Sequence, residues 1–508
     1  MADTGGDGPG IPHATLPSMS EARPPSPGTS VDPRFSPDDI ARVTGGALVR
    51  AADRPIRGAA VDSREVEPDQ LFVALPGGRT DGHAYLGDAV ACGASALVVS
   101  RPIDPSLVAD LGEVTIVRVA DGLLALQALA AAWRQRFSPL VVGVTGSIAK
   151  TSVKEATAVV LGAAMPTLRS PGNRNNEIGL PLTVLALRPE HRAAVLEMGM
   201  YVGGEIADLA RIARPAIGVV TAVQGVHLSR IGSLDAIEDA KAELVEALPG
   251  DGTAVLNADD PRVLRMAERT AARVLTYGFA SDADVTAEEV VPAGLDGMRF
   301  TLRAGRARVR AELPGLGRMA VHNALAAAAV GLAAGLDPTT IAAALRPGWS
   351  VARRSVLRQA GEVTIVDDSY NASPGSVRAA LELLGGLPGR RVAVLGEMLE
   401  LGPEHDAGHR EIGSAAAAVA DLLVALGPSA PVIAEGARAS GLDADRIVVV
   451  SDRAAALDEL QDRLRAGDVV LVKASRGAEL DRLVDELVRS LSGTPDGSDG
   501  VPGAGPAR

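Results

Sequence analysis

The stretch Val141-Val142-Gly143-Val144-Thr145-Gly146-Ser147-Ile148-Ala149-Lys150-Thr151-Ser152 decides how this chain is read. The apolar run Leu140 to Val144 predicts a buried strand, followed by a glycine turn and a helix from about Lys150. Backbone N–H groups at such a helix start face outward and bind phosphate, aided by the helix dipole. The lysine neutralises the outer phosphates, and the hydroxyl of Thr151 can bind Mg²⁺. The loop from Thr145 to Ser152 is therefore the expected ATP-binding element. It departs twice from the general pattern G-x-x-x-x-G-K-[ST], with Val144 at the first glycine and Ala149 before the lysine. If position 149 needed a positive φ, alanine would cost on the order of 1 kcal/mol. We expect a negative φ there, with ATP still bound.

The rest of the chain sets the frame for that loop. At 508 residues it is long enough for two to four domains. The net charge of −13 gives no basic stripe for nucleic acid. The single cysteine, Cys92, excludes an intramolecular disulfide. No apolar run of about 18 residues predicts a membrane span, and the N-terminus has no signal pattern, so the expected location is the cytoplasm. Of 50 basic residues only four are lysine: Lys150, Lys154, Lys241 and Lys473. A lysine that survives such a bias either is a leftover of drift or marks a place where arginine does not serve, because only an amine is a compact point charge that can lose its proton.

Composition divides the chain further. Residues 1–36 are rich in Pro, Gly and Ser and predict a disordered tail, as does 492–508. Residues 37–137 hold short apolar runs, such as Leu71 to Leu75, Ala96 to Val99 and Thr115 to Val117, and predict a small α/β domain ending in a helix from Gly122 to Phe137. Residues 138–346 alternate strands (Leu140–Val144, Ala194–Leu196, Ile217–Val223, Thr253–Leu256) with helices such as Ser233–Leu248, which implies a mainly parallel sheet. A hairpin over Met298–Leu313 and an Ala-rich helix over Asn323–Gly335 close this part. Residues 347–491 predict a second doubly wound unit of Rossmann-like type, with strands at Val363–Val366, Arg391–Leu395, Leu422–Leu426, Ile447–Val450 and Val469–Val472. It lacks a G-x-G-x-x-G fingerprint, so dinucleotide binding is not indicated.

Two more residues point to metal chemistry near the loop. Glu197 follows the run Ala194–Leu196, at the carboxyl end of a strand, where α/β sheets place ligands. His227 lies four residues past Val223. A carboxylate and an imidazole after consecutive strands suit a divalent cation beside a triphosphate.

The loop Thr145 to Thr151 resembles the T-G-x-x-G-K-[ST] loop of the Mur ligases, the ATP-dependent amino-acid ligases of peptidoglycan precursor synthesis. The resemblance runs from about Asp62 to Glu486. Asp62-Ser63-Arg64, Leu71 to Gly77 and Asp81-Gly82-His83 look like the UDP-sugar domain. Asn173-Arg174-Asn175-Asn176-Glu177-Ile178-Gly179, Ala240-Lys241-Ala242-Glu243 and His322-Asn323-Ala324 are similar to central-domain motifs. Asp367-Asp368-Ser369-Tyr370-Asn371-Ala372-Ser373-Pro374, Gly396-Glu397-Met398 and Val472-Lys473-Ala474-Ser475-Arg476 resemble C-terminal ones. The N-N-E-I-G and D-D-S-Y-N-A segments are most similar to one branch, whose members add D-alanyl-D-alanine to UDP-N-acetylmuramoyl tripeptide.

The resemblance implies an architecture of three α/β domains, for UDP-sugar, ATP and closure. It implies ATP, Mg²⁺ at two sites, and the small-molecule substrates UDP-N-acetylmuramoyl tripeptide and D-alanyl-D-alanine, handled by a monomer through an acyl phosphate. By motif, Lys150 would contact the β/γ-phosphates. Thr151 and Glu197 would hold one Mg²⁺ and His227 the second. Lys241 would be carbamylated to N6-carboxylysine; the plain alternative is a helix-surface lysine paired with Glu238 or Asp239. Asn323 would face adenine, Arg353 or Arg354 the phosphates, and Asp368 the ribose or the closing domain. Asp62, Ser63, Arg64, Asn175, Asn176, Glu177, Asn371 and Arg476 would line the substrate side. Two alternatives stand beside this: another amide ligase of the superfamily, or a nucleotide-binding homologue impaired by Ala149.

Overall fold

The computed structural model describes residues 34–78, 80–225 and 231–492. The expected tails over 1–36 and 492–508 fall outside these residues except at their inner ends. There the structure corrects the boundary: Phe35 is buried against Trp133, with ring centroids 4.9 Å apart, and Ser36 caps the helix Pro37–Thr44.

Three sheets organise the described residues, with five, nine and six strands. In the first, Leu71–Val73, Ala96–Val99 and Thr115–Arg118 run parallel, and Ala47–Arg50 adds an antiparallel edge. The helix Gly122–Arg134 carries Trp133 into a core shared with the central unit, where its Nε1 donates to Leu187 O at 3.0 Å.

In the central sheet the strand Leu140–Thr145 lies between Ala193–Glu197 and Ile217–Val220, all parallel. The parallel run continues through Thr253–Asn257, Arg273–Tyr277 and Val285–Pro292, and the expected hairpin, Met298–Ala304 with Ala307–Leu313, closes one edge. Side chains alternate across this sheet. Val141, Ala194, Leu196 and Val220 enter one core, and Val142, Val144, Val195 and Val219 the other. A sheet buried on both faces explains why these strands read as unbroken apolar runs. The helix Gly317–Ala333 packs on the phosphate-loop helix Lys150–Gly162, and a Cβ at Gly331 would lie 2.8 Å from Val160 Cγ1. Its small residues permit that approach. It starts six residues before the expected Asn323, since Leu316 offers no capping side chain to mark the beginning.

In the third sheet Val363–Asp367, Val469–Lys473, Arg391–Leu395, Leu422–Leu426 and Ile447–Val450 are parallel neighbours in that order, with helices on both faces. An antiparallel edge strand, Val356–Ala360, was not expected. Its carboxyl edge and that of the central sheet line one cavity of about 1070 Å³.

Candidate active site

The loop after Leu140–Thr145 is strapped down before its helix begins. Gly146 has φ +142, and a Cβ there would lie 1.9 Å from Thr221 Oγ1, so only glycine fits. Thr221 Oγ1 donates to Ile148 O at 2.5 Å and Thr145 O at 3.2 Å. Ser147 Oγ donates to Gln224 O at 3.0 Å and accepts from Gln224 N at 2.9 Å. Those partners come from the end of the expected strand Ile217–Val223, which in fact stops at Val220 and frees the next residues to hold the loop.

Ala149 has φ 65 and ψ −3, in the left-handed region, which overturns the expected negative φ. With Gly146 fixed by its contacts and Ile148 O held by Thr221, the chain reverses into the helix at one residue, and that residue carries the strain. The amides of the first helical turn have no carbonyl one turn before them and face the cavity's phosphate end.

Four charged or polar groups gather beside that turn. Lys150 Nζ donates to Gly146 O at 2.6 Å. Burial lowers its pKa, opposed by Glu197 and assisted by Arg354. Glu197, the last residue of its strand, is 1% exposed; Oε1 accepts from Asn175 Nδ2 at 2.8 Å, while Oε2 is buried with no partner. Thr151 is buried beside them. Lys241, on the helix Leu234–Glu246, is 3% exposed, and burial together with Lys150 pushes its pKa well below that of a free lysine. The surface alternative for Lys241 fails, because Glu238 pairs with Arg262 and Arg265, and Asp239 with Arg269.

These groups fit a magnesium ion. Among the described residues no three His, Cys, Asp or Glu side chains converge on one point. Mg²⁺ does not need them, since it is ordinarily held by one or two carboxylates with substrate phosphates and water. The orphaned Oε2 of Glu197 and the Thr151 hydroxyl are the groups that would supply the protein's share. His227 lies outside the described residues.

Along the cavity from this cluster, Asn323 is buried with Oδ1 unpaired, and Arg318 on the same helix stacks over Phe279 at 4.0 Å. Asn175, Asn176 and Glu177 also line the wall, Asn175 in direct contact with Glu197. Asn176 Oδ1 also accepts from Gly179 N at 2.9 Å, capping the helix Gly179–Leu185. Asp62, Ser63 and Arg64 lie outside the cavity lining, with Asp62 paired to Arg64 at 2.6 Å. Their neighbour Glu65 reaches the Asn173–Glu177 segment through Arg174 at 2.6 Å.

The opposite wall is the C-terminal unit. Asp368 Oδ2 accepts from the buried Lys473 at 2.6 Å, and Oδ1 accepts from Ser355 N at 3.0 Å. Lys473 also donates to Asn371 O at 2.9 Å. The two linker arginines separate. Arg353 is held by Asp485 at 3.0 Å and by the Asp481 carbonyl at 3.1 Å, and does not line the cavity. Arg354 does, stacked over Tyr370 at 4.4 Å and close enough to Lys150 to affect its ionisation. Arg476, exposed, also lines the cavity and lies 5.7 Å from the centre of the same ring.

An enzyme that hides an activated group from water needs a cover. Here one α/β unit faces the loop-bearing edge of another across the cavity, an arrangement that fits the plan of an ATP-dependent ligase. Family models agree: "Mur ligase family, catalytic domain" matches residues 55–134, "Mur ligase middle domain" 144–331, and "Mur ligase, glutamate ligase domain" 352–476. The chain belongs to the Mur ligase family. It is 40% identical over 494 residues to the UDP-N-acetylmuramoyl-tripeptide--D-alanyl-D-alanine ligase of Mycobacterium tuberculosis, covering 88% of this chain and 96% of that one. The structure of MurF from Acinetobacter baumannii superposes with a TM-score of 0.81 at 30% identity, covering 90% of this chain and 99% of that one. That of MurF from Thermotoga maritima, in complex with ADP, gives 0.76 at 30%, with 86% and 98% covered.

Sequence reasoning gave no role to Lys473, Tyr370 and Gln127, which line the cavity, or to Lys154, which is buried outside its lining. The scarcity of lysine was the signal available for the two lysines: Lys154 is fully buried and Lys473 is 3% exposed. Gln127 gave none, since its Nε2 meets Glu177 O, at 3.2 Å, only through the packing of the first unit on the second.

Proposed function

We propose that this chain joins D-alanyl-D-alanine to UDP-N-acetylmuramoyl tripeptide at the expense of ATP. The observation that carries the reading is the single cavity. Asn323, Lys150, Glu197 and Asn175–Glu177 from the central unit and Arg354 and Asp368 from the C-terminal unit all line it. Its volume exceeds what one nucleotide occupies, which suits two or three substrates meeting at one point.

In this reading Lys150 and Arg354 balance the β/γ-phosphates, and the first-turn amides hold their oxygens. The terminal carboxylate of the tripeptide attacks the γ-phosphorus and ADP leaves, giving an acyl phosphate. The amine nitrogen of the dipeptide attacks the acyl carbon, and inorganic phosphate departs with the C–O bonding pair and takes up the proton that the amine loses. Mg²⁺, held by Thr151 and Glu197, would supply charge neutralisation for two anions brought together. A second ion falls to His227 and Lys241. Lys241 suits carbamylation because burial lowers its pKa, so its amine gives up a proton more readily than a free lysine and can take up CO₂, whereas arginine cannot. Asn323 faces adenine, Asp368 the ribose, and Asn371 and Arg476 the incoming dipeptide. A monomer suffices, since one chain supplies both walls. ATP and a UDP-linked precursor place the reaction in the cytoplasm, and no described helix is long and apolar enough to cross a membrane.

The test is phosphate release in the presence of ATP, Mg²⁺, UDP-N-acetylmuramoyl tripeptide and D-alanyl-D-alanine, each omitted in turn. The expected outcome is dependence on all four. Release that persists without the dipeptide would overturn the reading.

A further inference from the structure

Lys154 is a buried cation that the reaction does not use. It sits on the phosphate-loop helix, one turn after Lys150, with no exposed surface. Its Nζ donates to Ser170 O and Gly172 O, both at 2.7 Å, and pairs with Glu155 Oε1 at 2.8 Å. Glu155 in turn pairs with Arg169 at 2.9 Å. An ammonium has three donors, and here all three are satisfied with the charge balanced. The planar fork of arginine cannot reproduce that arrangement in the same space.

The two carbonyls belong to the start of the segment that ends at Glu177. Ser170 accepts through Oγ from Glu197 N at 3.1 Å, and its own N–H donates to Val195 O at 3.1 Å. Gly172 turns the chain at φ +52. Three residues on, Asn175 is gripped from both sides. Its carbonyl accepts from Gly199 N at 2.8 Å, and its side chain lies so close that a Cβ at Gly199 would meet it at 2.9 Å. Held there, Asn175 Nδ2 donates to Glu197 Oε1 and leaves Oε2 as the free oxygen.

We infer that Lys154 is a positioning residue for the cation-binding carboxylate. By tying the turn at Ser170–Gly172 to the phosphate-loop helix, it sets Asn175, and through Asn175 the orientation of Glu197. The inference rests on the assignment of Glu197 to Mg²⁺ in the reading above. It explains why a lysine is retained at a buried position that touches neither substrate nor phosphate. It also predicts that metal coupling, rather than nucleotide affinity as such, depends on Lys154.

The experiment is calorimetric binding of ADP to the full chain, with and without Mg²⁺, with circular dichroism as the check on folding. In Lys154→Met the gain in ADP affinity that Mg²⁺ confers should fall about tenfold, while metal-free ADP affinity stays within about twofold. Asn175→Ala should lose the same gain, and the double variant should lose no more than either single one. Ser170→Ala removes the hydroxyl that receives Glu197 N and keeps Lys154, so it carries the test if Lys154→Met does not fold; its Mg²⁺ gain should fall severalfold. An unchanged gain in the folded variant, or losses that multiply in the double variant, would overturn the inference. Loss of dipeptide-dependent phosphate release in the parent would instead overturn the ligase reading and leave this result standing.

Discussion

The two sheet edges that face each other across the cavity are built on opposite terms. Both are carboxyl ends of parallel strands. At the central edge, polar groups that line the cavity are buried without protein partners: Glu197 Oε2 and Asn323 Oδ1. Lys241 there has its ammonium desolvated and faces a second lysine. On the C-terminal edge the groups answer one another. Asp368 is paired with Lys473, Ser369 Oγ donates to Asp367 Oδ1 at 2.6 Å, and Arg353 is shared among Asp367, Asp481 and Asp485. Buried His409 accepts from Met398 N through Nε2 at 2.8 Å and donates from Nδ1 to His405 O at 2.6 Å, which fixes its tautomer. Unpaired buried polar atoms cost folding energy, so the central edge is left incomplete for ligands to finish. The C-terminal edge is complete on its own and suits a unit that approaches and withdraws as a rigid body.

The largest expected effect breaks the self-satisfied edge. Lys473→Met leaves Asp368 without its cation in a mostly buried place, and removal of one partner from such a pair costs about 3 kcal/mol. Urea unfolding followed by circular dichroism should show that loss. A change under about 1 kcal/mol would mean that this edge is as dependent on ligand as its opposite.

The incomplete edge should respond in the other direction. Lys241 has a folded-state pKa far below its unfolded value, so between the two the unfolded chain binds the extra proton. Stability of the parent therefore rises with pH through that window. Lys241→Met removes the penalty. In CO₂-free buffer it should be more stable than the parent at neutral pH, with the difference shrinking as pH approaches 10.5, the ordinary pKa of a lysine. Thermal unfolding across pH measures this, and a gap that is constant or widens with pH would remove Lys241 from the set of strained groups.

How much of this was legible beforehand depends on what each feature's signal consists of. The parallel strands were readable because a sheet covered on both faces demands unbroken apolar runs, as at Val141–Val144 and Leu422–Leu426. The strands Arg273–Tyr277 and Val356–Ala360 were missed because their polar residues interrupt the run. That Lys150, Glu197 and Lys241 lie together was readable from the loop motif, from the place of Glu197 at a strand end and from the rarity of lysine. The division of labour between Arg353 and Arg354 was not. It depends on where Asp481 and Asp485 arrive from the helix Leu480–Leu491, more than a hundred residues away in sequence. The sign of φ at Ala149 was also hidden, for it follows from Thr221 and Gln224 holding the loop from a neighbouring strand.

That residue gives the smallest effect and the finest test of the contrast. A left-handed alanine costs roughly 1–2 kcal/mol against glycine, and Ala149 pays it at the edge where ligands bind. If the strain is confined to the folded backbone, Ala149→Gly should stabilise the free protein by about 1 kcal/mol, less the backbone entropy that glycine restores to the unfolded chain. ADP affinity should then change by less than about tenfold, because the loop already holds its turn in the free state through Thr221 and Ser147. A gain of about a hundredfold or more would mean that alanine holds the loop out of its binding geometry. The central edge would then be impaired rather than merely unfinished.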